Sequence, residues 1–193
     1  MKKDPSNGYE AIARDFIAYR SNSSIGVEAV RSWARTLGPE AVILDLGCGN
    51  GIPITRALYQ DGYTLYGIDA SPTLIASYRE HFPDLTVACE PVESSKFFDR
   101  KFDGVVAWGL LFLFSESLQS ETIHRISGIL KPGGQFLFTS PKADCTWIDI
   151  MTSAESRSLG LDRYKDILAS AGLTLIGKDT DEGDNFYYFA KKE

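Results

Sequence analysis

Cysteine is scarce in this chain. Cys48, Cys89 and Cys145 are odd in number, widely spaced and without a Cys-x-x-Cys pair. That argues against a disulfide framework or a cysteine-based zinc site and fits a reducing compartment. Histidine is scarcer still: His81 and His124 each stand alone with no ligand-spaced partner, so no metal is expected. No stretch approaches the ~18 apolar residues of a membrane span. The opening MKKDPSNGYE has two lysines but no apolar run behind them, so the expected location is the cytoplasm, with no membrane partner. Basic residues never run beyond the pairs Lys2-Lys3 and Lys191-Lys192. With 20 Lys and Arg against 26 Asp and Glu, the formal charge is −6, which speaks against nucleic acid held by phosphate neutralisation. Acidity alone names no partner and is read as serving solubility. The Gly-x-Ser-x-Gly elbow is missing, and the scattered serines have no context for a triad, so a hydrolase has little support.

What is present is enough apolar material for one substantial core: 193 residues, 44% of them hydrophobic, read as a single domain. Apolar positions at Tyr9, Ile12, Ala13, Phe16 and Ile17, then at Val27, Val30, Trp33, Ala34 and Leu37, follow helical spacing. Ser24 is the expected cap of the second helix. Short apolar runs follow at 41–46, 64–68, 85–88, 104–108 and 135–139, each the length of a buried strand. Helical patterns at 53–59, 72–81 and 117–130 lie between most of them, with Ser71-Pro72 reading as an N-cap and first helical residue. This alternation predicts βαβ units and a mainly parallel sheet. Residues 140–160 are polar with little period. A last helix ends at Gly172, and the runs 173–176 and 186–190 predict a closing antiparallel hairpin.

The segment Val42-Ile-Leu-Asp45-Leu-Gly47-Cys48-Gly49-Asn50-Gly51-Ile-Pro53 passes from a buried strand through a glycine-rich turn into a helix. Glycine lets a ligand approach the backbone closely, although a tight strand-to-helix turn needs glycine in any case. Asp69 follows at the tip of the neighbouring run, where a carboxylate can accept both ribose hydroxyls; capping the next helix is a compatible second role. Together they point to a nucleoside cofactor. A dinucleotide site prefers Gly-x-Gly-x-x-Gly, whereas this loop reads Asp45-x-Gly47-x-Gly49-x-Gly51.

That loop resembles motif I of the class I S-adenosylmethionine-dependent methyltransferases. The likeness continues in order through Asp69, Glu90, the run Phe102-Asp103-Gly-Val-Val-Ala107-Trp108 and the turn Leu130-Lys-Pro132-Gly133-Gly134. The resemblance implies a Rossmann-like, three-layer α/β/α fold with a seven-stranded, mostly parallel sheet and an antiparallel last strand. It implies S-adenosyl-L-methionine as cofactor and S-adenosyl-L-homocysteine as product. Asp45, Gly47, Cys48, Gly49, Asn50 and Gly51 would wrap the methionyl part, Asp69, Ala70 and Ser71 the ribose, and Glu90, Pro91 and Val92 the adenine. Ala107 and Trp108 would lie beside the reacting methyl. Glu90-Pro-Val-Glu93 departs from the family's commoner Asp-Ala pattern.

The single domain then divides into a helical cap (1–38), a cofactor-binding core (41–140), a lid loop (141–160) and a helix with closing hairpin (161–193). The expected activity is in-line methyl displacement onto an oxygen, nitrogen or other nucleophile of a small molecule, by a monomer or homodimer. The acceptor pocket is expected from Tyr9, Tyr19, Trp108, Phe112 and Trp147, with the hairpin Asp184-Asn185-Phe-Tyr187-Tyr188 a more distant possibility; for each, core packing is the competing role. No catalytic base is singled out. Arg14 or Arg20 would reach the cofactor carboxylate from the cap. Two alternatives stay open: a cofactor-binding regulatory protein without turnover, and an NAD-dependent oxidoreductase. Gly172-Leu-Thr-Leu-Ile-Gly177-Lys178-Asp179 imitates a phosphate loop, but it ends in Asp and spans a strand rather than joining a strand to a helix.

Overall fold

The alternating apolar runs form a seven-stranded sheet in a computed structural model that describes residues 4–193; residues 1–3 of the expected cap lie outside them. The parallel strands are β1 (Val42–Leu46), β2 (Thr64–Asp69), β3 (Thr86–Cys89), β4 (Phe102–Ala107) and β5 (Leu130–Thr139). A separate pair, β6 (Asp144–Ile148) and β7 (Glu155–Leu159), precedes the final β8 (Leu173–Thr180) and β9 (Phe186–Lys192). The sheet order is β3-β2-β1-β4-β5-β9-β8, with β9 antiparallel to both neighbours. The succession of strands reverses between β1 and β4, and this is where an open α/β sheet leaves a crevice beyond its carboxyl ends.

Side chains alternate faithfully across the two faces. Leu44, Leu46, Val105, Phe136, Phe138 and Tyr188 join Ile123, Ile126, Tyr164 and Leu168 in one core, beneath α5 (Glu116–Ile129) and α6 (Gly160–Ser170). Their neighbours Ile43, Val106, Leu137 and Tyr187 face the other way and meet Val30, Trp33, Ala34, Ile54 and Leu58 of α2 (Val27–Arg35) and α3 (Ile54–Gln60). A strand period of two thus yields three layers. Helix α4 (Pro72–His81) starts as its sequence predicts, the Ser71 hydroxyl accepting the Leu74 N–H.

Three local expectations are corrected. Helix α1 (Ala13–Arg20) begins at Ala13, and residues 5–12 form turns that leave Tyr9 and Glu10 ahead of it. The cap of α2 is Gly26 rather than Ser24: its φ is +81°, and an added Cβ would collide with the Tyr187 hydroxyl and the Trp108 indole nitrogen. The expected lid loop is a β-hairpin, β6 paired with β7 from Asp144↔Leu159 to Ile148↔Glu155. Its alternation was invisible to a hydrophobic reading because the buried positions of β7 include Ser156 and Ser158. Ser158 donates to the Pro141 carbonyl at 2.6 Å, and Tyr164 joins Ser140 to Gln119 at 2.8 and 2.6 Å, so the hairpin's base is tied into the core. No helix among the described residues is long and apolar enough to cross a membrane, and none of their His, Cys, Asp and Glu side chains gather in groups of three or more that would hold a metal.

Candidate functional site

A cavity of about 420 Å³ opens over the carboxyl ends of β1, β2 and β4, within the size range of small-molecule sites. Its floor begins with the glycine loop. Gly47 and Gly49 have φ of +75° and +55° and line the cavity; the Gly47 and Cys48 N–H groups both donate to the Ile68 carbonyl, lashing the loop to β2. Asp69, at the end of β2, accepts the Gly49 N–H through one oxygen (2.9 Å) and the Ser71 N–H through the other (2.8 Å). One carboxylate therefore binds the loop, the start of α4 and the cavity wall together.

Two acids here sit high because burial outweighs their hydrogen bonds. Asp45 lies beneath the loop, holds a 2.6 Å hydrogen bond from Thr55, and is pushed up to about 7 by burial. Burial also raises Asp69 above the usual carboxylate range. The Cys48 thiol is driven well up by burial, so it is an unreactive part of the wall.

The N-terminal segment is pinned over this floor by Glu10, whose carboxylate accepts the Ser71 hydroxyl, the Thr73 N–H and the Thr73 hydroxyl. Those groups lie at the start of α4, where a negative charge is favoured. Tyr9 lines the cavity and stands edge-on to Phe16 at 5.4 Å. Burial, then the Asp149 carboxylate, push its hydroxyl up to about 12, leaving it a neutral hydrogen-bonding group rather than a base. The hairpin supplies the remaining roof. Asp149 accepts the Met151 N–H, the Thr152 N–H and the Thr152 hydroxyl on one oxygen, and Gly8 packs against Thr152 where the two segments meet. Ile150, 96% exposed, and Tyr19, 66% exposed, stand at the rim.

Trp108, just beyond β4, forms a fixed aromatic wall. Its indole N–H donates to the Tyr187 hydroxyl at 2.7 Å, and Tyr187 donates in turn to Asp181 at 2.7 Å. Phe112 closes the cavity on one side and contacts Trp147 at 5.3 Å between centroids; Trp147 itself lines a second, adjoining cavity with Thr139, Ser140 and Phe186.

Of the residues expected around a cofactor, Asp45, Gly47, Cys48, Gly49, Asp69, Ala70, Glu90, Val92 and Trp108 line the main cavity; of those expected around an acceptor, Tyr9, Tyr19, Trp108 and Phe112 do. Asn50, Gly51, Ser71, Pro91 and Ala107 stand outside its wall. Ala107 is fully buried in the core and Ser71 caps α4. Gly51 is glycine for packing, since a Cβ there would stand 2.5 Å from the Phe82 ring. Asn50 is buried with its Oδ1 accepting the Ile52 N–H. Pro91 only turns the chain, accepting the Ser94 N–H. Arg14 is exposed, whereas Arg20 faces the cavity. Sequence reasoning missed Phe16, Leu110, Leu113, Phe114 and Asp149 as lining residues, whereas Asn185, from the hairpin given as a more distant possibility, does line the cavity. The apolar ones carried only a core signal, and Asp149 had no motif around it.

Residues 43–134 match the family model described as a methyltransferase domain. An uncharacterized methyltransferase of Synechocystis sp. is 30% identical over 112 residues, covering 58% of this chain and 52% of that protein. The chain spans about half or less of the length of the curated relatives it matches. Among solved structures, magnesium protoporphyrin IX methyltransferase from Synechocystis with bound S-adenosylhomocysteine superposes with a TM-score of 0.79 at 14% identity, over 99% of this chain and 100% of that one. Burkholderia thailandensis 1,6-didemethyltoxoflavin-N1-methyltransferase, with its acceptor and S-adenosylhomocysteine bound, gives 0.73 at 19% identity, over 97% and 90%. At such identities these two likenesses concern the fold.

Proposed function

We propose that this chain, whose residues 43–134 match the methyltransferase domain model, is a class I, Rossmann-like methyltransferase that transfers a methyl group from S-adenosylmethionine to a small molecule. One observation carries the reading: Asp69 presents a partly buried carboxylate to the cavity from the tip of β2 while receiving the N–H of Gly49 in the glycine loop. That geometry couples the group that would accept ribose hydroxyls to the loop that would wrap the methionyl chain. Glu90 and Val92, after β3, line the same wall where an adenine would lie.

When bound, the cofactor supplies a methyl group on a positively charged sulfur, ready for displacement by a nucleophile. The protein's part is alignment and exclusion of water. Gly47, Gly49 and Asp69 form the floor on one side; Phe16, Trp108, Leu110 and Phe112 wall an apolar space on the other. The roof of Tyr9 and Asp149 would keep bulk water from an acceptor held against those apolar walls. A buried cavity of this size suits a small molecule, and the free cysteines fit the reducing cytoplasm.

The test is calorimetric titration with S-adenosylmethionine, S-adenosylhomocysteine and NADH, on the wild type and on Asp69→Ala. Micromolar binding of the first two, lost in the variant, is expected, followed by label transfer from methyl-labelled cofactor in an acceptor screen. Binding of NADH alone would overturn the assignment, and cofactor binding with no transfer to any acceptor would favour a regulatory role.

A further inference from the structure

The stretch that would meet an adenine follows β3, which is an edge strand of the sheet. The Glu90 N–H donates to the Asp69 carbonyl at 2.9 Å; beyond it the backbone bonds within itself, Ser94 to Pro91, Ser95 to Val92 and Arg100 to Phe97. The same stretch ends in strain. Phe97, Phe98 and Asp99 have φ of +50°, +58° and +50°, the left-handed region that residues with a side chain occupy in succession only where their surroundings hold them there. What holds them comes from α5. Arg125 donates one guanidinium nitrogen to the Val92 carbonyl and the other to the Ser95 carbonyl, and its guanidinium lies over the Phe97 ring at 4.7 Å from the centroid. Ser95 is buried, and its hydroxyl accepts the Phe97 N–H at 2.9 Å, fastening the strained turn to the same clamp. Among the described residues Arg125 forms no ion pair. A planar fork that reaches two carbonyls while stacking on a ring is a task for arginine, which the compact ammonium of lysine does not perform.

We propose that Arg125, which stands outside the cavity, is a positioning residue for its purine end: by fixing the carbonyls of Val92 and Ser95 it sets where Glu90 and Val92 stand, and with them the preference for a 6-aminopurine. The inference rests on the methyltransferase reading and adds to it a residue that touches no ligand. Glu90 and Val92 line the cavity, and the Val92 carbonyl is one of the two atoms that Arg125 holds. An ionised carboxylate only accepts hydrogen bonds, so Glu90 suits the N–H of a 6-amino group and opposes a 6-oxo group. A site built to hydrogen-bond an amino group rejects the analogue that lacks it, provided the acceptor is held in place. Contact between a flat ring and Val92 tolerates a small displacement of the wall, whereas the hydrogen bond to Glu90 is directional and does not. Loss of the clamp therefore strikes selectivity between purines ahead of overall affinity.

The experiment titrates S-adenosylhomocysteine and S-inosylhomocysteine, which differ at the purine 6-position, into the wild type, Arg125→Met and Arg125→Lys. The wild type is expected to bind the first about tenfold or more tightly than the second. In both variants that ratio should fall to about threefold or less, because neither side chain supplies the fork. Hydrogen exchange on the unloaded proteins gives the second readout: the amides of Ser94, Ser95 and Phe97 should exchange several-fold faster in the variants, while those of Val105 and Val106 in β4 keep the wild-type rate and show the sheet intact. A wild type that does not distinguish the two ligands overturns the proposal. So do variants that weaken both ligands equally with the ratio kept, which would make Arg125 a brace and no more, and so does recovery of the ratio by Arg125→Lys, which would leave charge alone as the cause. Should Arg125→Met fail to fold, Arg125→Lys carries the test. If S-adenosylhomocysteine fails to bind the wild type, the methyltransferase reading falls, and adenosine against inosine on the same three proteins decides this proposal separately.

Discussion

Thr55 donates its hydroxyl to Asp45 across 2.6 Å at the bottom of the cavity, and this hydrogen bond is outweighed by burial, which lifts Asp45 to about 7. The unfolded chain releases this proton near pH 4, and the folded chain keeps it to about pH 7. Between those values the folded state binds more protons, so stability falls as pH rises. Urea unfolding should show the wild type losing on the order of 2 kcal/mol through this group between pH 5 and pH 8. Asp45→Asn should lose correspondingly less. Identical pH slopes for the two proteins would mean that Asp45 is already ionised in the folded state at pH 5.

Asp69→Ala removes the acceptor of two backbone N–H groups as well as the acid facing the cavity. A stability loss of roughly 1–3 kcal/mol is expected from the unpaired Gly49 and Ser71 donors. Affinity for S-adenosylhomocysteine should fall by at least tenfold. A variant that unfolds more easily yet binds the nucleoside as well as wild type would reduce Asp69 to a structural brace.

At Gly51, by contrast, the expected damage is to folding and not to binding. Its φ is +81°, and an added Cβ would stand 2.5 Å from Phe82 and 3.0 Å from Tyr78. Gly51→Ala should cost roughly 2–4 kcal/mol, from the left-handed backbone and the overpacked ring. Below the unfolding transition, the Kd for S-adenosylhomocysteine should stay within threefold. A stable variant with lost binding would put Gly51 on the ligand.

Glu10 is the latch between the N-terminal turns and α4. Glu10→Ala should free the first twenty residues locally without unfolding the sheet. Limited proteolysis would then cut within that segment several-fold faster, while the urea midpoint moves little. The Ser71 and Thr73 hydrogen bonds hold Glu10 below its usual range, so the latch is complete above that range and opens as pH falls through its lowered value. Proteolysis at a single rate in both proteins would show that other contacts hold the segment.

The sheet was legible because its signal is redundant. Apolar runs at Val42–Leu46 and Phe102–Ala107 must be buried on both faces, and no other element accepts that pattern at that length. The floor of the site was legible for a similar reason, since Gly47, Gly49 and Asp69 occupy fixed places relative to strand ends. The roof was not. Ser156 and Ser158 carry the inward alternation of β7, so hydrophobic periodicity passed over a real strand. Phe16 and Leu113 read as ordinary packing, because an apolar side chain over a cavity has the same sequence signature as one inside a core. Gly26 replaced Ser24 as a cap because of Tyr187 and Trp108, residues far away in the chain. Local rules do not register such a collision.

The meeting of Gly8 with Thr152 makes the roof a seam between two strips of chain, and both strips lie outside residues 43–134. The glycine loop and Asp69 of the floor fall within the matched residues 43–134, while the roof is stitched on from either end. Acceptor choice can diverge along the seam without disturbing the sheet beneath it. Residues 4–20 and 144–159, carrying Tyr9, Arg20 and Asp149, are the pair to transplant together into another protein of this fold; either strip alone would bring half a lock.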